Sequence, residues 1–354
     1  SITIFFTYCN SPSKTYLEKY LPKSSLKGVW VTNVGSDALK SEANIKDLVY
    51  NCKKHQINHL FVVVWNKGLT QYPSDVLNKY IGIKQEQIFS HFDPLEFLIE
   101  VAHRQGIKVH AWFEFGFSFA YNDPKSPWIE KYPDWLVRDS EGEILKKNNF
   151  IWWNALHPGP QKFLMELIEE VVTKYDVDGI QGDDRLPAMP SEGGYDPYTL
   201  SLFQNEFCKS PSSNYKEENW VSWRSDQLSE FGKKVYQKVK SINPKTLVSW
   251  APSIYPWSKQ EYLQSWPDWI IGGYADFIVP QFYRYQLNDY SSIIDQLETQ
   301  LNAKERKKVY AGVLAALGGG YRINDTLLVD MVNYHRSKGI EGEVFFYYEF
   351  FNRQ

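Results

Sequence analysis

With 354 residues, 43% hydrophobic and 23% charged, the chain can bury a large core, and a barrel with long loops accounts for its length without a second domain. A formal net charge of −3 leaves no basic field for a phosphate backbone, which argues against nucleic acid as a partner. Aromatic residues make up 16%, with 13 Trp and 24 Tyr; that is more than a core needs and suits surfaces on which flat sugar faces stack, although the same rings also fill cores.

In chain order, residues 2–8 come first, an apolar run too brief to span a membrane. The run reads as a signal-peptide remnant or as an ordinary strand. Cys9 with the polar stretch 10–14 suits a lipid anchor, but Tyr8 is bulky for the residue before such a cysteine. The expectation is a secreted, periplasmic or cell-surface protein without a transmembrane segment, in which residues 1–23 form an N-terminal segment and 24–354 the barrel.

From Lys27 onward, short β-rich runs alternate with amphipathic stretches, the pattern of parallel strands joined by crossover helices. Eight strands are expected at 28–32, 59–65, 108–114, 177–183, 246–250, 276–281, 308–313 and 342–348. Between them, apolar residues recur at helical spacing, as in Ile45, Leu48, Val49 and Cys52, or Phe163, Leu164, Leu167, Ile168 and Val171. Eight such units predict a (β/α)8 TIM barrel, an α/β fold. The competing doubly wound sheet lacks support, because no GxGxxG follows the first strand and no GxxxxGKS occurs. The last strand ends close to Gln354, so a full eighth helix is missing, and residues 13–21 are the candidate to fill that place. Long connections at 115–158, 185–219 and 252–272 are expected to build the active site.

Metal chemistry finds no support. Cys9, Cys52 and Cys208 are too scattered for a disulfide framework or a paired-cysteine site, and the seven histidines show no HExxH spacing. Neither cofactor nor metal is expected.

Barrel enzymes carry their chemistry at the C-terminal ends of strands. Strand three ends in Glu114 among aromatics, an environment that raises a carboxyl pKa and suits a general acid. Strand four ends in Asp183 and Asp184. Side-chain alternation puts Gln181 and Asp183 on one face, expected to be the interior, with Asp184 opening the loop above. Adjacent acids beside Arg185 are costly unless a site uses or pairs them. One carboxylic acid to protonate a leaving oxygen and one carboxylate to attack, or to activate water, are what glycosidic cleavage requires. Glu114, Asp183 and Asp184 are therefore the catalytic candidates. A structural Asp–Arg pair, or a Glu hydrogen-bonded to a loop, is the competing reading. Substrate-binding candidates are Trp65, Trp112, His110, Trp153, Asn154, Trp250, Gln281, Tyr283, Arg284 and Glu349, with Trp152 and Trp257 as further loop aromatics. Trp65, Trp112 and Trp250 are equally compatible with core packing, whereas Trp152, Trp153, Asn154 and Trp257 lie in long loops, where packing explains them less readily, and are the better candidates for sugar platforms.

These residues carry a family resemblance. Residues 27–32, 93–99 with 109–116, Leu156-His157-Pro158, 175–184 and 279–284 together resemble the bacterial glycosyl-hydrolase-like 10 family over most of the chain. The resemblance implies a barrel hydrolase acting on glycans, with activity in the family on bacterial cell-wall strands. Residues 178–183 are also similar to the α-amylase pattern Asp-Gly-x-Arg-x-Asp, which favours Asp183 as nucleophile. Gln181 replaces the arginine, however, and no glutamate ends strand five. Arg185-Leu186-Pro187 stands where many relatives have an aromatic run. The expected partner is an oligosaccharide or polysaccharide. The alternatives are a non-catalytic carbohydrate-binding protein on the same scaffold, and a lyase or deacetylase on a barrel, a metal-dependent deacetylase being disfavoured by the lack of a histidine-rich site.

Overall fold

The β-branched and aromatic runs form eight parallel strands: β1 (Leu26–Val31), β2 (His59–Val63), β3 (Lys108–Phe113), β4 (Gly179–Gly182), β5 (Leu247–Trp250), β6 (Phe277–Ile278), β7 (Ala311–Leu314) and β8 (Gly342–Phe346). This architecture comes from a computed structural model, and residues 15–352 are described. The strand order is β6-β5-β4-β3-β2-β1-β8-β7. Parallel bridges Ile278–Val309 and Gln281–Gly312 join the two ends and close the barrel. The expected (β/α)8 architecture is the observed one.

Helices α1 (Tyr16–Tyr20), α2 (Glu42–Lys54), α3 (Pro94–Arg104), α4 (Pro158–Lys174), α5 (Glu218–Ile242), α6 (Leu287–Gln300) and α7 (Asp325–Ser337) surround it. Their starts follow local chemistry. Asp93 caps α3 by accepting from the Leu95 and Glu96 amides, and Pro94 supplies a preset φ at the first turn. The apolar stripe of α4 is buried as its spacing predicts, through Phe163, Leu164, Leu167, Ile168 and Val171. Each such side chain contributes roughly 1.5–3 kcal/mol by burial. Between β5 and β6, two short helices, Trp257–Tyr262 and Trp266–Ile271, replace one long crossover. Helix α1 packs near α7, with Leu17 buried, close to where an eighth helix would lie. Residues 1–14, with the apolar run and Cys9, lie outside the described residues.

Inward-facing side chains fill the barrel in layers. Low in the interior, His110 stacks on Phe61 at 4.5 Å and its ring nitrogen lies 2.9 Å from that of His59. Above them, Trp30 Nε1 donates to Gln181 Oε1 (2.8 Å), and Gln181 Nε2 donates to Ser249 Oγ (3.1 Å). With the interior occupied up to this level, the next inward residues, Glu114 and Asp183, are raised to the mouth. Gly182, between the inward Gln181 and Asp183, allows close packing on the outer side of the sheet: a Cβ there would stand 2.4 Å from the Leu186 carbonyl and 2.5 Å from the Trp250 ring.

Candidate active site

A cleft of about 500 Å³ opens at the C-terminal ends of the strands, lined by Trp112, Glu114, Asp183, Asp184, Gln281 and Tyr283 among others. Contributions come from the connections after β1 (Val34), β2 (Lys67), β3 (Phe115, Tyr121, Asn148, Phe150) and β4 (Asp184, Arg185), with Phe346 ending β8. Of the three long loops, the one after β5 adds nothing to this lining.

Arg185 organises the carboxylates. Its guanidinium lies over the Phe115 and Phe150 rings at 5.1 and 5.0 Å. From there Nε donates to the Glu114 carbonyl (3.0 Å), Nη2 to Asp183 Oδ2 (3.2 Å), and Nη1 lies 3.4 Å from Asp184 Oδ1. Gly116 lets the β3 and β4 loops approach closely enough for this. Its φ is +49°, and a Cβ there would stand 2.1 Å from the Arg185 carbonyl oxygen. The Arg185 carbonyl instead accepts the Phe117 amide at 2.9 Å.

The three acids differ in their surroundings. Asp183 is 3% exposed; both its oxygens accept, Oδ1 from Gln281 Nε2 (2.9 Å) and Oδ2 from Arg185. Burial first, then the neighbouring Asp184 charge, pushes its pKa well above the usual carboxylate range against the pull of Arg185. Glu114 is 8% exposed, and its Oε2 accepts from Asn66 Nδ2 and from Thr32 Oγ1 (3.2 Å). Burial raises its pKa, while Arg185, Asn66 and Thr32 moderate the rise. No hydrogen bond to Glu114 Oε1 is formed among the described residues. Asp184 is more open, its side chain 27% exposed.

Of the residues expected at the site, the fold brings Glu114, Asp183, Asp184, Trp112, Gln281 and Tyr283 together. It does not bring the others to the cleft. His110 lies in the layer below, and burial, with His59 and Lys108, holds it well below the usual histidine range. Strand β2 ends at Val63, two residues short of the expected end. The chain then turns into a short hairpin, so Trp65 packs outward on Trp153 and Phe163 and donates to the Gly116 carbonyl. Trp153 stacks on Phe119, and Asn154 donates to Thr199 Oγ1 at 2.8 Å, both fully buried. Trp250 faces away from the interior, as alternation along β5 requires, against Trp269. Arg284 donates to the Tyr283 carbonyl, and Glu349 accepts from Ser36 Oγ at 2.6 Å, both outside the lining.

Asn66, Thr32, Lys67, Tyr121, Phe150 and Phe346 are contributors that sequence reasoning missed. Asn66 and Thr32 do stand just past strands β2 and β1, where a search for neutral polar residues at strand ends, and not only for acids, would have met them. Among the described residues no cluster of His, Cys, Asp and Glu is arranged to hold a metal ion, and no helix is long and apolar enough to cross a membrane.

A family model described as glycosyl hydrolase-like 10 matches residues 25–334. The chain is 24% identical over 292 residues to the glycosyl hydrolase DigH of Escherichia coli K12, covering 73% of this chain and 62% of that protein. It is 22% identical over 298 residues to the glycosyl hydrolase YngK of Bacillus subtilis, covering 73% and 54%. The matched region thus spans less than two thirds of these relatives. Among solved structures, the glycoside hydrolase domain of PgaB (BpsB) from Bordetella bronchiseptica is similar with a TM-score of 0.70 at 15% identity, covering 94% of this chain and 96% of that one. An α-L-fucosidase from Paenibacillus thiaminolyticus follows with 0.65 at 16% identity, covering 92% and 48%. At these identities the structural likeness concerns the fold alone.

Proposed function

The chain belongs to the glycosyl hydrolase-like 10 family, and from that premise we propose that it hydrolyses O-glycosidic bonds of a polysaccharide or cell-wall glycan, using Glu114 and Asp183 as the reacting pair. The observation that carries this reading is the gathering of three acids at the barrel mouth around one guanidinium, which contacts the Asp183 and Asp184 carboxylates and the Glu114 backbone carbonyl. One cation among three acids, two of them buried, leaves Glu114 and Asp183 easier to protonate than free carboxylates. Burial raises the pKa of both Glu114 and Asp183, and the geometry assigns the proton to Glu114: its Oε1 is unengaged, whereas both Asp183 oxygens accept from donors that favour the ionised form. In the proposed reaction Glu114 protonates the glycosidic oxygen as the bond to the leaving sugar breaks.

Asp183, with both oxygens already accepting, is the fixed carboxylate. It attacks the anomeric carbon or deprotonates the water that does. Arg185 and Gln281 hold it in place, and each loses part of its hold as the carboxylate charge is spent. Trp112, Tyr283 and Phe346 supply apolar ring surface to the cleft.

The test is reducing-end release from a panel of glycans that includes bare peptidoglycan strands, with Asp183→Asn, Asp184→Asn and Glu114→Gln alongside. Release that is lost in folded Asp183→Asn and Glu114→Gln supports the reading. Tight glycan binding without release from any substrate would replace it with a carbohydrate-binding role on the same scaffold.

A further inference from the structure

The loop after β5 lines none of the catalytic cleft, yet it carries an exposed tryptophan held against the cleft's edge. Trp257, 45% exposed, starts the short helix that ends at Tyr262 and packs on the Tyr262 ring at 5.5 Å. The Tyr262 hydroxyl accepts from Asn148 Nδ2 at 3.2 Å. Asn148 and its neighbour Phe150 line the cleft, and Tyr121 packs on Phe150 at 4.9 Å. Aromatic rings therefore stand on both sides of Asn148: Phe150 and Tyr121 at the cleft, and Tyr262 and Trp257 beyond its wall.

The wall beneath is built rigidly. Lys147, with only 14% of its side chain exposed, donates to Glu192 (2.9 Å) and Glu261 (2.8 Å), one from each of two other loops, and lies 4.7 Å from the Tyr262 ring centre. Trp152 supports the ring from another side at 5.7 Å. Three loops, after β3, β4 and β5, are thus tied at one lysine, and the ammonium is matched by carboxylates, with a further cation, Lys216, 3.7 Å from Glu261. The surface presented is an aromatic pair on a charge-balanced base. Single exposed hydrophobic residues are ordinary on protein surfaces. A tryptophan joined to the wall of a catalytic cleft through Tyr262 and Asn148, on a loop fixed by a partly buried ion-pair network, is not of that kind.

We propose that Trp257 and Tyr262 form a distal sugar-binding subsite, stacking a pyranose ring of a glycan chain whose cleaved bond lies at Glu114 and Asp183. This rests on the hydrolase reading and sharpens it: the substrate is a chain spanning several sugar units, and binding strengthens with chain length. Trp257→Ala should raise KM for the longest accepted substrate about tenfold, the worth of one stacked ring, with kcat unchanged. The shortest cleaved substrate should show no change, and Trp257→Tyr should restore most of the loss. Because Trp257 is largely exposed, the alanine variant should melt within a few degrees of the unsubstituted protein.

Binding separates this inference from the reading beneath it. In the Asp183→Asn background, peptidoglycan glycan strands fractionated by length are titrated with and without Trp257→Ala, read by intrinsic fluorescence and by sedimentation. Length-dependent binding lost with Trp257 supports the subsite even if no glycan is ever cleaved. Equal affinity in both proteins at every length, or no binding that grows with length, overturns the subsite whatever the catalytic result.

Discussion

Two buried carboxylates at opposite ends of the barrel show how one fold places the same group in opposite electrostatic settings. Glu343, on β8 and facing the helices, is fully buried. Arg336 Nη2 donates to its Oε2 at 2.6 Å, where His335 Nε2 also lies at 3.2 Å, and Ser24 Oγ donates to its Oε1. Burial alone would raise its pKa, but His335, Arg336 and Ser24 outweigh it and hold the group below its ordinary value. Asp183 is almost as buried, yet it shares one guanidinium with two other acids, and its pKa goes up. A carboxylate supplied with enough donors is a brace. One left short of positive charge is poised to bind a proton or to attack.

Substitution at each end should break the comparison in opposite ways. Asp183→Asn should cut kcat by roughly 10⁴-fold without lowering the melting temperature, since it removes a charge the fold does not neutralise well. A variant that loses activity only because it unfolds would contradict the assignment. Glu343→Gln should behave conversely, costing about 3 kcal/mol in a urea titration, because Arg336 loses its buried partner, while the activity of the folded fraction persists.

A smaller effect tests the tuning of the acid. Asn66 donates to Glu114 and so favours its ionised form. Asn66→Ala should raise the Glu114 pKa, move the alkaline limb of the kcat/KM profile to higher pH, and lower the maximal rate about three- to tenfold. An unmoved limb would mean that Glu114 is not the group seen in that limb.

The smallest effect is the pH dependence of stability. Glu343, whose folded pKa is depressed, contributes stability above its ordinary value of 4.5 that is lost as pH falls through the folded value. Asp183 has the opposite sign. Its contribution is full below 3.8 and is lost as pH rises through its elevated folded value. Melting curves against pH should therefore show Glu343→Gln flattening the acid side, and Asp183→Asn removing a decline on the alkaline side of that window.

The eight strands were legible because alternation and β-branched runs are local properties, and each expected strand coincides with an observed one to within a few residues, apart from the short β6. Glu114, Asp183 and Asp184 were legible for a related reason: a strand end in a barrel is a position that the strand pattern itself defines. The aromatic candidates were not. Trp112 and Trp250 occupy similar-looking strand ends, yet only Trp112 lines the cleft, because alternation within each strand turns the two rings to opposite sides of the sheet. Trp65 was drawn outward by a two-residue hairpin that the apolar run before it does not announce.

What the sequence by itself determined is the fold class and the level in the barrel at which acids stand, since both follow from periodicity counted along one chain. Only the tertiary structure decided that Arg185 bridges Asp183, Asp184 and the Glu114 carbonyl between two phenylalanine rings, that Asn66 tunes Glu114, and that Lys147 ties three loops beneath Trp257. Those contacts join residues far apart in the chain, and the charge balance that raises the pKa of one buried carboxylate and lowers that of another depends on which partners the closed barrel brings within reach.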